Sequence, residues 1–506
     1  MPSCKSKQSA GEKNFVILEE EEHQRGGVSL IANFSINDYL SSNRERFEAV
    51  SKYIWEHPET RYQEFESAAF LADELEKEGF QVERGVGGIE TAFVATFGKG
   101  KPVIGFLGEF DALSGLSQKA NTTTQEPIEA GGVGHGCGHN LLGTGSLSAA
   151  YAVKAYMEDH QVNGTVKFYG CPAEEGGSGK TFLVREGVFD GLDVALTWHP
   201  SYANSIMSLS SLANYQVYFR FKGVASHAAN SPHLGRSALD AVELMNVGVN
   251  YLREHVVQEA RMHYAITNSG GISPNVVQSE AEVLYLIRAP KVSQVDDIYK
   301  RICKIAEGAA LMTETEMSIV FDKACSNYEP NRALERILHE KLVEAGPVQP
   351  TEEEKQFAEK IWNTLSEGEK KNFIAGMESF GYQGDGSEFE GKFLADIISD
   401  YVPSDKVMAG STDVSDVSWV VPTAQLTTAT SAIGTPLHTW QMVTQGIGSF
   451  AHSGMLLAAE SMAAAAIHLF ENEEDLEAVK AEHAERRAKE PYFCPIPEGV
   501  KPSATK

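Results

Sequence analysis

The chain has 506 residues, 42% of them hydrophobic, and 43 Lys plus Arg stand against 70 Asp plus Glu, a formal net charge of −27. That acidic excess argues against binding to nucleic acid or to anionic membranes, while the length implies more than one core. Six scattered cysteines do not form a disulfide framework. No apolar signal segment opens the chain, and no window approaches the ~20 apolar residues of a membrane helix. The expectation is a soluble, cytoplasmic protein.

Residues 1–34 contain EEEEH and few core-forming runs, so they read as a flexible tail. INDYLSSNRERFEAVSKYIWEHPE has helical spacing, with Asn37 or Asp38 as its expected cap. ESAAFLADELEKEGF is expected to form a second helix ending near Gly79, and FVATFGKG and PVIGFLGEF read as strands. GTGSLSAAYAVKAYMEDH then reads as a buried helix, GTVKFYG as a strand, TFLVREGVF as a helix and DVALTWHP as a strand. Alternation of this kind argues for an α/β layer fold.

From residue 214 the order changes to strand, helix, strand, strand, helix, strand, which is the split βαβ, ferredoxin-like arrangement. The expected division is an α/β part over 35–213, an inserted α+β domain over 214–325, and a return to the α/β part over 326–506. Residues 350–405 read as charged and helical, and GIGSFAHSGMLLAAESMAAAAIHLFENEEDLEAV as one long helix covering the sheet.

GVGHGCGHNLLG, residues 132–143, raises the question of function. Gly134, Gly136 and Gly138 flank His135, Cys137 and His139, a costly use of flexible residues unless the backbone must bend tightly there. Chemistry in α/β sheets gathers in the loops after the strands. CPAEEGG places Glu174 and Glu175 after one strand, TWHP places His199 at the end of another, and GFLGEFDALSG offers Glu109 and Asp111. GTPLHTWQ offers His438 before the last helix. Taken alone, each is ordinary: a lone histidine is usually a hydrogen-bonded core or surface group, and a buried cysteine a small apolar residue. Their convergence on strand ends points to a metal site. Adjacent glutamates suit one carboxylate on the metal and a second free to take a proton from an acidified water.

Five stretches, GFLGEFDALSG, GHGCGHNLLG, PAEEGG, GVASHAANSPHLGRSALDA and TPLHTW, resemble the aminoacylase/carboxypeptidase family of dinuclear metallopeptidases, in its amidohydrolase branch. GSTDVSDVSWVVPTAQ is similar to the aminobenzoyl-glutamate subgroup. The resemblance implies a zinc-peptidase-like catalytic domain with an inserted dimerisation lid, and two divalent ions, zinc or manganese. It implies that Cys137, His139, Glu175, His199 and His438 are the metal ligands. Glu174 would be the general base, and Asp111 the carboxylate that orients a ligating histidine. His227 would reach the partner subunit's site and stabilise an oxyanion. Asn275 would approach the substrate, and Arg288 would bind a substrate carboxylate or else form a lid salt bridge. The implied substrate is a small amide, an N-acyl amino acid such as p-aminobenzoyl-glutamate or a related dipeptide. β-Alanyl and γ-aminobutyryl dipeptides of basic residues are an alternative. The implied assembly is a homodimer through the lid, with a second subunit, or a non-catalytic role in a hetero-oligomer, as the other readings. Two departures from the wider branch stand out. Asn140 replaces its Asp, and Thr412-Asp413 replaces its Glu-Asp pair, which leaves Asp413 and Asp416 as secondary candidates.

Overall fold

Helix α1 (Ile36–Ser42) begins where the Ser35 side chain accepts the Asp38 N–H, so Ser35 is the cap rather than Asn37 or Asp38. This computed structural model describes residues 34–379 and 381–504, and the tail expected over 1–34 falls outside it except at Phe34. The first expected helix is two, α1 and α2 (Arg44–Glu56), parted at Asn43, whose side chain turns back onto the Tyr39 carbonyl. Helix α3 (Phe65–Lys77) buries Leu71, Ala72 and Leu75 on one face.

Strands β1 (Gln81–Arg84), β2 (Phe93–Lys99) and β3 (Val103–Glu109) follow. A two-residue ribbon then pairs β4 (Leu113–Ser114) with β5 (Val133–Gly134). Helix α4 (His139–His160) starts four residues earlier than expected, inside the glycine stretch, because Gly138 takes a left-handed φ of 77° at its N-terminus. Next come β6 (Gly164–Cys171), α5 (Gly179–Arg185), β7 (Val194–Ser201) and β8 (Ser205–Ile206).

Strand β9 (Ala213–Lys222), helix α6 (Ala238–Leu252), strands β10 (Arg261–Asn268) and β11 (Glu280–Ala289), helix α7 (Val292–Thr313) and strand β12 (Glu316–Cys325) build a second sheet. Its order is β10-β11-β9-β12 and every pairing is antiparallel, the ferredoxin-like arrangement that the strand and helix order implied.

The chain continues through α8 (Arg332–Ala345), α9 (Glu352–Trp362) and α10 (Glu367–Ser379). Beyond α10 the segment expected to be helical to residue 405 holds a single short 3-10 turn among the described residues, Ser387–Phe389. The glycines at 381, 384, 386 and 391 break the helical run. Helix α11 (Val414–Val420), strand β13 (Thr423–Ala429), helix α12 (Trp440–Gln445), helix α13 (Ser449–Glu471) and helix α14 (Glu473–Lys489) complete the fold. The long terminal helix is thus two, divided at Asn472, whose non-helical backbone ends one and opens the next.

The main sheet has the order β1-β2-β6-β3-β7-β13-β8. Its four central strands, β6, β3, β7 and β13, run parallel, and antiparallel neighbours close both edges. Central strands covered on both faces read as continuous apolar runs, and all of β13 is buried. One core, with Phe106, Leu147, Trp198 and Met455, lies between this sheet and helices α4 and α13. The second, with Phe219, Tyr285, Val242 and Ile302, fills the four-stranded layer and continues to Leu107 and Tyr169 on the main sheet. Helix α13 corrects one expectation. By length and composition it is apolar enough to cross a membrane, but 72% of its most apolar window is buried within the molecule.

Candidate metal centre

The four parallel strands end on one side, and the loops after them supply the side chains. Glu109 closes β3, with Asp111 two residues on; Glu174 and Glu175 follow β6; His199 lies near the end of β7; His438 lies in the loop after β13. Close packing explains the glycines of the 132–138 loop. A Cβ on Gly136 would strike Leu116 and come 3.3 Å from the His438 Cα. The Gly136 carbonyl accepts the His438 N–H at 2.8 Å. His438 itself sits at a left-handed φ of 62°, a strained backbone held by this contact.

Cys137 Sγ lies 3.4 Å from His199 Nε2, and His438 Nε2 lies 3.2 Å from Glu175 Oε2. The donor atoms fall into two triads that share the thiol: Cys137 with His139 and His199, and Cys137 with Glu175 and His438. Within each triad they lie no more than 4.8 Å apart. The structure therefore brings together all five residues expected as ligands. His199 donates from Nδ1 to the Pro200 carbonyl at 2.8 Å, which turns Nε2 toward the thiol. Burial, with the charge of His139 next, draws His199 down to about 4, so its ring is neutral.

The donors fit a cation. His139 Nε2 and Glu175 Oε1 are buried without a hydrogen-bond partner, as expected of groups that point at a metal. Burial, reinforced by Glu175, drives the Cys137 thiol up, so a nearby cation is what makes it a thiolate. Burial also acts to raise Glu175, but the hydrogen bond from His438 and the charge of His139 outweigh it and hold the carboxyl at about 2.

Asp111 stands behind the ligands. One oxygen lies 2.8 Å from His139 Nδ1, and the other accepts the Glu175 N–H at 2.8 Å. Glu174 makes no hydrogen bond or ion pair to the described residues, and its carboxylate lies within 4.8 Å of Glu109 and His139 donor atoms. Burial, then the charges of Glu109 and Asp413, push Glu174 up.

The remaining expected residues lie elsewhere. His227 is exposed; its Nδ1 accepts the Asn230 N–H at 3.0 Å. Asn275 is its neighbour, with a carbonyl that accepts the Ala228 N–H at 2.9 Å. Among the described residues, neither makes a hydrogen bond or ion pair with the donor cluster. Arg288, on β11, reaches the Ala409 carbonyl at 3.5 Å and forms no ion pair among the described residues. His135 Nε2 lies 3.0 Å from the Ile54 carbonyl. Asn140 donates to Ser51 Oγ and to the Gly446 carbonyl.

Two groups escape a reading of the sequence. Lys180 is fully buried between Glu109 at 2.6 Å and Asp413 at 2.7 Å. Arg61, Tyr62 and Glu64, from one turn before α3, all bond the backbone of the Glu174–Glu175 loop. Neither shows a spacing pattern, because the partners are far away along the chain. Asp416 accepts from Thr181, Ser326 and Tyr492, a structural hub rather than a ligand.

A mixed α/β sheet with thiol, imidazole and carboxylate donors converging at its parallel strand ends defines a metal-dependent hydrolase of the amidohydrolase kind. The chain belongs to peptidase family M20/M25/M40, whose model matches residues 105–389. It is similar to a p-aminobenzoyl-glutamate hydrolase subunit of Escherichia coli (strain K12), at 53% identity over 475 residues, 93% of this chain and 98% of that protein. It is also similar to Xaa-Arg dipeptidase of Mus musculus, at 33% identity over 287 residues, 54% of this chain and 62% of that protein. The crystal structure of aminobenzoyl-glutamate utilization protein from Klebsiella pneumoniae shares the fold at a TM-score of 0.59 and 19% identity, covering 86% of this chain and 98% of that one.

Proposed function

We propose that the chain is a dinuclear metal-dependent amidohydrolase that cleaves p-aminobenzoyl-glutamate or a closely related N-acyl amino acid. The observation that carries this reading is the pair of donor triads sharing Cys137, with Glu174 beside them, grouped with Glu109 and His139. Cys137, His139, Glu175, His199 and His438 hold two divalent ions, zinc or manganese. Bound there, the ions supply Lewis-acid polarisation and an acidified water. Glu174 takes the water's proton and returns it to the leaving amine. Asp111 fixes the ring of His139. Arg288 and Asn275 bind the substrate, Arg288 by donating to the substrate's carboxylate, and His227 stabilises the oxyanion in the site of a second copy.

Residues 214–325 act as the dimerisation lid. Exposed apolar side chains on α6 and β10, among them Leu244, Val247, Tyr251, Tyr264 and Ile266, support a protein contact there. The name of the E. coli relative, itself one subunit of a hydrolase, favours a second reading, in which a further subunit is needed for turnover. The similarity to Xaa-Arg dipeptidase favours basic dipeptides as the alternative substrates.

The test is release of p-aminobenzoate from p-aminobenzoyl-glutamate by purified protein reloaded with zinc or manganese. Release that a chelator abolishes, and that Glu174→Ala lowers by ~10²–10⁴-fold without loss of substrate binding, supports the proposal. No release by protein shown to hold metal turns the assignment to basic dipeptides or to a missing subunit. Turnover that survives in Glu174→Ala removes Glu174 as the base.

A further inference from the structure

The loop that carries Glu174 and Glu175 is gripped along its backbone by one short turn. Glu64 accepts the Ala173 N–H at 3.0 Å, Tyr62 donates its hydroxyl to the Gly177 carbonyl at 2.7 Å, and Arg61 donates to the Gly176 carbonyl. Tyr62 and Ala173 both hold left-handed backbones, at φ 57° and 64°. Such strain persists where the surroundings over-determine it.

Arg61 does more than grip the loop. Its two terminal nitrogens face both oxygens of Asp322 at 3.2 Å, and its Nε donates to the Ala504 carbonyl at 2.7 Å. Asp322 lies on β12 of the four-stranded sheet, at the register shift between Phe321 and Lys323. It also accepts from Gln216 on β9 at 2.7 Å. The Asp322 side chain is 1% exposed and that of Arg61 13%. A planar guanidinium makes the forked carboxylate contact and still has donors for two carbonyls, whereas an ammonium has no such geometry.

We infer that Arg61 is a positioning residue that locks the backbone beside Glu175 to strand β12, so that the four-stranded layer sets where Glu175 stands. The inference rests on the dinuclear reading above. One donor triad, Cys137, His139 and His199, takes nothing from this loop; the other depends on Glu175. Loss of the Arg61 contact therefore weakens one ion and spares the other, a pattern that general destabilisation does not produce.

The experiment is a Co2+ titration of the metal-free full chain, followed by equilibrium dialysis and by thiolate-to-cobalt absorption, in wild type, Arg61→Lys and the near-isosteric Asp322→Asn. The expected result is two ions bound by wild type. In both variants one keeps its affinity and the other weakens about tenfold, within the range for groups behind a metal ligand. Two ions bound with unchanged affinity in both variants overturn the inference alone. Parallel loss of both ions with a lowered unfolding midpoint shows a purely structural role and overturns it too. A wild-type chain that takes up one ion overturns the dinuclear reading, and the inference falls with it.

Discussion

Asp111 joins His139 to Glu175, with one carboxylate oxygen 2.8 Å from the His139 Nδ1 and the other 2.8 Å from the Glu175 nitrogen. A single buried side chain thus sets the tautomer of an imidazole and the placement of a carboxylate. Asp111→Asn keeps the volume but exchanges one acceptor for a donor. The expected outcome is a 10–100-fold loss of metal affinity, about the usual cost at such positions. Chelator competition on the zinc-loaded protein measures it.

Cys137 and His438 should respond differently to removal, because the thiol belongs to both donor triads and His438 to one. Cys137→Ala is expected to release both ions together, and His438→Ala only one. Elemental analysis after dialysis separates the two outcomes. Equal losses in the two variants would deny the shared thiol.

Helix α4 approaches β7 closely at Gly145, where an added Cβ would come 2.7 Å from the Trp198 indole nitrogen. Trp198 is fully buried and donates to the Leu142 carbonyl at 3.0 Å, so it has no room to retreat. Gly145→Ala is expected to cost about 1–3 kcal/mol, as overpacking does. It should also disturb His199, the next residue. Urea unfolding gives the first effect and metal affinity the second.

Glu335 predicts a pH dependence of stability. It is buried on α8, 3.0 Å from Arg332 and bonded by the Tyr401 hydroxyl at 2.8 Å. Burial outweighs both partners and pushes the carboxyl up to about 7. The folded value lies above the unfolded one of about 4.3, so this contribution is fully present below the unfolded value and is lost as pH rises through about 7. Wild type should therefore lose stability across that window by up to about 1.4 kcal/mol per pH unit more than Glu335→Gln. Denaturant midpoints at successive pH values test this.

The strand ends were legible because apolar, β-branched runs stop abruptly at polar, glycine-rich loops, and His199 and Glu175 sit at those stops. The order of elements likewise implied the four-stranded layer, since α6 and α7 carry clear apolar stripes. Helix ends were less legible. INDYL through IWEHPE keeps its period straight across Asn43, and the break depends on a side chain competing for a backbone carbonyl. The same holds at Asn472. The supporting groups were hidden for another reason. Lys180 pairs with a residue 233 positions away, and Arg61 with one 261 positions away. Such pairs have no period, and a buried lysine looks like any other until its partners are placed.

The chain enters the four-stranded layer on β9 and leaves it on β12, and the register pairs Asn214 with Cys325. Departure and return are thus one strand spacing apart, about 5 Å. A short bridge spanning these two positions closes the main sheet at small entropic cost, whatever length of chain is removed between them. A replacement layer has to rebuild both the Arg61–Asp322 contact and the apolar core that runs from the layer to Leu107 and Tyr169 on the main sheet.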